Sequence, residues 1–202
     1  MGVIVDSTLS WSEHAKLVKN KIAKGVGILT KVKKLLDKST LITIYNSFIY
    51  PYLLYGIEVW GTVSRCHFDT VFKLQKKAIR IIASASYREH TKPLFLSHQI
   101  LPLEQIYVFA ISKLMYKFSN NRLPLIFNDM IIRNIQVHSH STRHNQEIHV
   151  PQCRTTLFQN TFRYKGAIIW NHVSKSIPYD CNLSTFKHKL KTFLFDRYGS
   201  DA

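Results

Sequence analysis

Residues 68–85, with the sequence FDTVFKLQKKAIRIIASA, decide the predicted fold class of the chain. Apolar side chains recur in this stretch at the period of an amphipathic α-helix. The residues predicted to face inward are Val71, Leu74, Ala78, Ile81, Ile82 and Ala85. The other side carries a basic stripe at i, i+3, i+4 and i+7, formed by Lys73, Lys76, Lys77 and Arg80. The stretch therefore predicts a helix with one apolar face and one basic face.

A second amphipathic helix is predicted earlier in the chain, from a capping box at Ser10 and Glu13 to about Leu36. Its predicted inward face comprises Trp11, Ala15, Val18, Ile22, Leu29, Val32 and Leu36. Its outward face carries Lys16, Lys24, Lys31, Lys34 and Lys38. No acidic residue lies at i,i+4 on this face within the helix, so we expect the lysines to be unpaired.

The remaining segments around these two helices are also predicted from local patterns. Residues 2–6 indicate a short β-strand, and residues 39–60 an apolar helix that breaks or kinks at Pro51. Residues 87–93 indicate a polar loop, and Pro102 starts a long helix that ends at Asn120 and Asn121.

The pattern changes after Pro124, where a polar, histidine-rich segment without helical period begins near residue 134. Residues 152–164 indicate two short strands, followed by a helix around Trp170 and another over residues 183–198. We expect a mainly α fold, with a helical bundle preceded by a short strand and followed by a small α+β unit. The predicted domains are a helical region at 1–130, a linker at 131–151 and the α+β unit at 152–202.

The apolar segment at residues 41–60 also has to be tested as a membrane span. It contains Thr43, Asn46, Pro51 and Glu58, and a bilayer helix rarely tolerates so many polar or helix-breaking residues. A buried core helix is therefore the preferred interpretation.

Composition indicates a folded, strongly basic protein. The chain has 202 residues with 28 Lys+Arg against 12 Asp+Glu, a net charge of +16, and its hydrophobic content of 46% suffices for a packed core. Such an excess of positive charge is typical of surfaces that face phosphate, in nucleic acid or in an anionic membrane. The three cysteines are an odd, widely spaced set, which predicts reduced thiols and no disulfide framework.

The sequence offers no group of residues that predicts catalysis. No two acidic residues are adjacent, and glycine-rich phosphate loops and zinc-helix motifs are absent from the sequence. His138, His140, His144 and His149 precede Cys153 without the ligand pairs of a zinc site, so a solvated linker is favoured over a metal site. An alternative role for these histidines is phosphate contact beside the nearby arginines. We expect no metal ion and no cofactor.

An ordered set of short motifs resembles a known family over nearly the whole chain. The motifs are GVIVD at 2–6, LSW at 9–11, His14, YPYL at 50–53, WG at 60–61, LQKKAIRII at 74–82, His138, TR at 142–143, VP at 150–151, RT at 154–155, YKGA at 164–167, WN at 170–171 and FKHKLK at 186–191. Together they resemble the segment downstream of the catalytic palm in non-LTR (LINE-class, jockey-like) retrotransposon reverse transcriptases. The resemblance implies the polymerase thumb, whose helices grip the template–primer, and the C-terminal region after it.

The resemblance also implies what the chain lacks. The metal-binding aspartates of the family lie in the palm, so we expect a truncated C-terminal fragment without palm or endonuclease. Such a fragment would have no polymerase activity of its own and no small-molecule substrate. Its expected partner is an RNA–DNA hybrid or duplex, held by backbone contacts.

Eleven basic residues are the predicted nucleic-acid contacts: Lys16, Lys24, Lys31, Lys34, Lys73, Lys76, Lys77, Arg80, Arg143, Arg154 and Arg163. Trp11, Trp60 and Trp170 are predicted to lie in the core instead of stacking on bases. Two alternatives remain open. In the first, the chain is a remnant whose lysines only solvate the helix faces. In the second, it is a peripheral membrane protein that binds lipid with those faces and with residues 41–60.

Overall fold

The computed structural model of the chain describes residues 2–137 and 143–200, and it is mainly α-helical. The helices are α1 Ser12–Val32, α2 Lys38–Phe48, α3 Tyr50–Leu54, α4 Ile57–Trp60, α5 Arg65–Ile82, α6 Thr91–Ser97, α7 Leu103–Ser119, α8 Asn134–Val137, α9 Thr156–Gln159, α10 Phe162–Ser176 and α11 Leu183–Ser200. A 3₁₀ turn covers Leu125–Phe127. The predicted mainly α fold is confirmed, and the helices predicted at 68–85, 102–120 and 183–198 correspond to α5, α7 and α11.

The strand predicted at residues 2–6 does not form. Across residues 2–137 and 143–200 the structure contains no β-strand, only an isolated bridge between Arg133 and Ile148. A strand needs a neighbour to satisfy its backbone groups, and the residues described supply none for this segment. Instead, the Ile4 N–H donates to Nδ1 of His14 at 3.3 Å, which ties the segment to α1.

The start of α1 also differs from the predicted capping box. The carboxylate of Asp6 accepts hydrogen bonds from the N–H groups of Thr8, Ser10 and Trp11 at 3.1, 2.9 and 2.9 Å. The hydrogen bond from the Thr8 hydroxyl, followed by those from the Ser10 N–H, the Ser10 hydroxyl and the Trp11 N–H, holds the pKa of Asp6 well below its ordinary value. Helix α1 therefore begins at Ser12, and it ends at Val32, four residues before the predicted end.

The small α+β unit predicted at the C-terminus is also not formed. Where two strands were predicted at residues 152–164, Oγ1 of Thr155 accepts from the Phe158 N–H at 3.4 Å and opens the short helix α9. Helix α10 then begins at Phe162. A local side-chain cap outweighs the strand propensity of this segment, since no neighbouring strand is present among the described residues to pair with it.

The chain divides into two compact units. Unit 1 consists of Met1–Tyr107 with Phe195–Ala202, and unit 2 of Val108–Leu194. The core of unit 1 forms where α1 packs against α5, α2 and α3. Gly25 permits this close approach, because a Cβ atom there would lie 2.7 Å from Cγ1 of Ile49 and 3.0 Å from the Phe48 carbonyl oxygen.

The apolar segment at residues 39–60 forms three separate helices, so the predicted helix is broken near Pro51 and not only kinked. Pro51 lies in the first turn of α3, where backbone N–H groups have no partner within the helix, so proline loses no hydrogen bond there. Trp60 at the end of α4 is fully buried, and its Nε1–H donates to the Tyr55 carbonyl at 2.9 Å. No helix within the described part of the chain is long and apolar enough to cross a membrane.

Unit 2 has an aromatic core. The rings of Tyr116 and Phe186 stack with centroids 4.5 Å apart, and Trp170 lies 6.0 Å from Phe186. Trp170 is 3% exposed, so the predicted core positions of Trp60 and Trp170 are both confirmed. Trp11 is only half-buried, and it has a left-handed backbone conformation at the N-cap of α1.

Candidate nucleic-acid interface

A basic cleft lies in unit 1, where the C-terminal ends of α1 and α5 come together. Its volume is about 320 Å³. The lining residues are Lys33, Lys34, Lys77, Arg80, Ile81, Ser84, Ala85 and Tyr87. Lys33 and Lys34 directly follow the last residue of α1, whereas Lys77 and Arg80 lie near the end of α5. The packing of α1 on α5 therefore joins the two predicted basic stripes at one place.

The cleft is strongly positive even after the helix dipoles are included. None of its described lining residues is acidic, and no carboxylate of the described chain pairs with its four cations. The C-terminal end of a helix carries about −0.5 of an elementary charge, so the two helix ends together offset roughly one of the four positive charges. The lining residues keep a net charge of about +3, before the carboxylate of Glu89 in the neighbouring turn is counted, so the site favours a polyanion.

Tyr87, which lines the cleft, belongs to a hydrogen-bonded turn beside it. Nε–H of Arg80 donates to the Glu89 carbonyl oxygen at 2.9 Å, which fastens the turn to α5. The Glu89 N–H donates to the Ser86 carbonyl at 3.2 Å, and the Ser86 N–H donates to Oε2 of Glu89 at 3.2 Å. Tyr87 and Arg88 lie at the tip of this turn, where Tyr87 is 84% exposed.

The predicted basic residues outside the cleft have different surroundings. Lys24, Lys31 and Lys73 are exposed on α1 and α5. Nζ of Lys76 instead lies 4.2 Å from the centroid of the Phe72 ring, which it covers. Nζ of Lys16 lies 2.7 Å from Oε1 of Glu13, so the expectation that this lysine face is unpaired is wrong at Lys16. The acid lies three residues before the lysine, and this spacing also allows pairing on a helix.

The predicted arginines beyond residue 140 lie in unit 2. Arg143 and Arg154 are exposed, whereas Arg163 is half-buried at the start of α10. Arg154 lines a separate open recess of about 610 Å³ together with Cys153 and Tyr164. None of these arginines lines the basic cleft of unit 1.

Two of the predicted histidines, His138 and His140, and Thr142 of the resemblance lie outside the described residues. Nδ1 of His144 lies 2.7 Å from Oε1 of Glu147, and Nζ of Lys175 lies 3.0 Å from the same oxygen. Desolvation raises the pKa of Glu147, but hydrogen bonds and charge from Lys175 and His144 outweigh it and lower the pKa. Among the residues described, no cluster of three potential metal ligands occurs.

Five lining residues of the cleft were not among the predicted contacts, namely Lys33, Ile81, Ser84, Ala85 and Tyr87. Ile81 and Ala85 had been predicted to face inward. Lys33 lies away from the centre of the predicted lysine face, and its proximity to α5 depends on the packing of the two helices. Tyr87 lies in a segment predicted only as a polar loop. The sequence features that could have indicated Lys33 and Tyr87 were the adjacent lysine pair Lys33–Lys34 and the tyrosine in the loop after the helix predicted at 68–85.

Several residues of the resemblance have structural roles instead. The side chain of Gln75 is fully buried, and it bonds to Tyr45, Leu101 and Leu103. The side-chain amide of Asn171 makes two hydrogen bonds to the backbone of Ile148. Its Oδ1 accepts from the Ile148 N–H at 2.9 Å, and its Nδ2 donates to the Ile148 carbonyl oxygen at 2.8 Å. These motif positions hold the fold together and do not themselves form the basic surface.

Comparisons with known proteins give one consistent result. No protein-family model and no solved structure matches the chain. The chain is 27% identical over 96 residues to the RNA-directed DNA polymerase from mobile element jockey of Drosophila melanogaster, and 31% identical over 97 residues to that of Drosophila funebris. It is 24% identical over 93 residues to a probable RNA-directed DNA polymerase from transposon BS of Drosophila melanogaster.

The similarity covers 43–46% of this chain but only 10% of each relative. The chain therefore corresponds to a small part of these polymerases. The resemblance to the RNA-directed DNA polymerases of jockey-like non-LTR retrotransposons is confirmed over nearly half of the chain, and its predicted extent over nearly the whole chain stays a prediction.

Proposed function

We propose that the chain is a C-terminal fragment of a mobile-element RNA-directed DNA polymerase and that it binds the phosphate backbone of a template–primer. The fragment has no nucleotide-adding activity of its own. The similarity to a tenth of each relative supports the fragment interpretation. An RNA–DNA hybrid or a duplex is the proposed partner, because the relatives are named as RNA-directed DNA polymerases.

The basic cleft is the observation that carries this proposal. Two of its four cations follow the end of α1 and two lie on α5, and none of the described residues that line it is acidic. A single amphipathic helix often presents lysines only for solvation, but that role does not require cations from two elements to converge. Lysine is a point charge that attracts phosphate without reading base edges, so the proposed binding is independent of sequence.

The cleft is proposed to act with the exposed lysines beside it. Lys31 lies in the last turn of α1, and Lys73 precedes Lys77 by one helical turn on α5. Lys24 is proposed as a more distant contact on α1. Lys16 and Lys76 are weaker contacts, because one already pairs with Glu13 and the other covers the Phe72 ring. Arg143, Arg154 and Arg163 remain candidates on the basis of their charge alone.

The test is a salt titration of binding between the full chain and a fluorescently labelled RNA–DNA hybrid. Each neutralised phosphate contributes a slope of about −0.9 to the plot of log Kobs against log salt. The double variant Lys34→Gln/Lys77→Gln should therefore flatten the slope by roughly 2. Its matched control is Lys19→Gln/Lys21→Gln, which removes two exposed charges of α1 that do not line the cleft.

Equal slopes for the two double variants would show that total charge, not the cleft, determines binding. A folded monomer that fails to bind the hybrid at low salt would support the remnant alternative. Binding to phosphatidylserine vesicles without binding to the hybrid would support the membrane alternative. Nucleotide incorporation by the chain alone, measured in parallel, would contradict the proposed lack of activity.

A further inference from the structure

We propose that the basic cleft binds one unpaired nucleotide at a strand end or overhang, with its phosphate among the four cations and its base stacked on the Tyr87 ring. This inference rests on the proposed function and names the part of the nucleic acid that the cleft takes. It distinguishes the cleft from a surface that only follows the backbone of a continuous duplex.

The position of Tyr87 is the first reason. A single exposed aromatic residue needs no explanation, but Tyr87 both lines the cleft and lies at the tip of a turn fastened by three hydrogen bonds. One of these bonds comes from Arg80, which itself lines the cleft. The turn therefore fixes the backbone that carries Tyr87 beside the cations before any ligand arrives, which lowers the entropy cost of binding.

The composition of the cleft is the second reason. Its lining combines the four cations Lys33, Lys34, Lys77 and Arg80 with the apolar side chains of Ile81 and Ala85. A nucleotide likewise combines a charged phosphate with the flat apolar face of its base. Proteins that bind single-stranded nucleic acid combine a positive groove with aromatic platforms in this way.

The size of the cleft and the geometry of nucleic acids favour an unpaired nucleotide. A volume of about 320 Å³ lies at the small end of the range of roughly 300–1,000 Å³ for small-molecule sites, so it admits one nucleotide and not a duplex. Inside a duplex, each base is covered on both faces by its neighbours. Only a terminal or splayed base presents a free face to an aromatic side chain.

The test compares a blunt RNA–DNA hybrid with the same hybrid carrying a short single-stranded overhang, using the full chain. Base stacking on an aromatic side chain corresponds to a gain of roughly 5- to 150-fold in affinity, so the overhang should bind more tightly by a factor in this range. The variant Tyr87→Ala should remove the preference for the overhang. Tyr87→Phe keeps the ring and is the matched control, so it should retain the preference.

A 2-aminopurine base in the overhang reports stacking directly. Its fluorescence should be quenched on binding to the wild type and to Tyr87→Phe, and should remain high with Tyr87→Ala. A free mononucleotide and inorganic phosphate are used as competitors, because they separate binding of a whole nucleotide from attraction of phosphate alone. Competition by the mononucleotide at lower concentration than phosphate is the expected result.

Equal binding of the blunt and overhanging hybrids, with no effect of Tyr87→Ala, would overturn this inference and leave the proposed function standing. Phosphate that competes as well as the mononucleotide would also overturn it, since the base then adds nothing. Failure of both hybrids to bind would instead refute the proposed function itself.

Discussion

Gln75 joins three segments of unit 1 through one buried amide group. Its Nε2 donates to Oη of Tyr45 and to the Leu101 carbonyl oxygen, each at 2.9 Å. Its Oε1 accepts from the Leu103 N–H at 2.8 Å. The side chain is 0% exposed, so water cannot replace these partners. We predict that the substitution Gln75→Leu is strongly destabilising, although leucine is apolar and of similar size.

The magnitude follows from the groups that the substitution leaves unpaired. The Tyr45 hydroxyl, the Leu101 carbonyl and the Leu103 N–H each lose a buried partner, at about 1–3 kcal/mol for each group, or roughly 3–9 kcal/mol together. The buried leucine side chain returns about 1.5–3 kcal/mol. The net loss is about 2–6 kcal/mol, a large fraction of the roughly 5–15 kcal/mol by which a domain is stable.

Urea unfolding followed by tryptophan fluorescence measures this loss, because Trp60 is buried in the same unit. Tyr45→Phe removes only the hydroxyl and leaves Gln75 bonded to Leu101, so we expect a loss of about 1 kcal/mol. Gln146→Leu makes the same chemical change at an exposed position, and its free energy of unfolding should stay within about 0.5 kcal/mol of the wild type. A Gln75→Leu protein as stable as the Gln146→Leu control would refute the reasoning.

Three further predictions concern side-chain hydrogen bonds and a buried histidine that stabilise the helices. Asn171→Ala removes both hydrogen bonds to the Ile148 backbone, so trypsin should cleave after Arg143 faster than in the wild type; an unchanged rate would argue against this pairing. Hydrogen bonds from Ser39 and Thr40 lower the pKa of Asp37 from 3.8 to about 2. The wild type should therefore lose stability as pH falls through this window, and Asp37→Asn should lack that loss in urea titrations. Burial lowers the pKa of His14 from 6.5, so stability should decline as pH falls below this value, and less so in His14→Gln.

Much of the helical architecture was predictable because it depends on local periodicity. Helix α5 has a long amphipathic pattern, and the predicted positions of α5, α7 and α11 are all confirmed within a few residues. The strand at residues 2–6 was wrongly predicted because β-branched residues favour a strand only where a neighbour is present. Helix α6 was missed because it is short, and Pro93 suggested a loop although proline is tolerated in a first helical turn.

The sequence allowed most of the basic residues of the candidate site to be predicted, but not that they lie close together. Lys34, Lys77 and Arg80 were identified on two separate stripes by helical period alone. Their convergence depends on the packing of α1 against α5, which requires contacts far apart in sequence. The same limit applies to Tyr87, whose place at the cleft depends on the bond between Arg80 and the Glu89 carbonyl.

The residues whose hydrogen bonds hold the fold and the residues proposed to bind are largely different sets, and this difference makes the two explanations of the chain separable. Gln75 and Asn171 are tied into the fold by hydrogen bonds, whereas Lys34 and Lys77 pair with no carboxylate in the described structure. Substitution of Gln75 should therefore lower stability while leaving the salt slope of the folded fraction intact. Substitution of the lysines should flatten the salt slope while leaving the unfolding midpoint nearly unchanged. A remnant that retains only the fold would show the first effect without the second, and a functional nucleic-acid-binding fragment would show both.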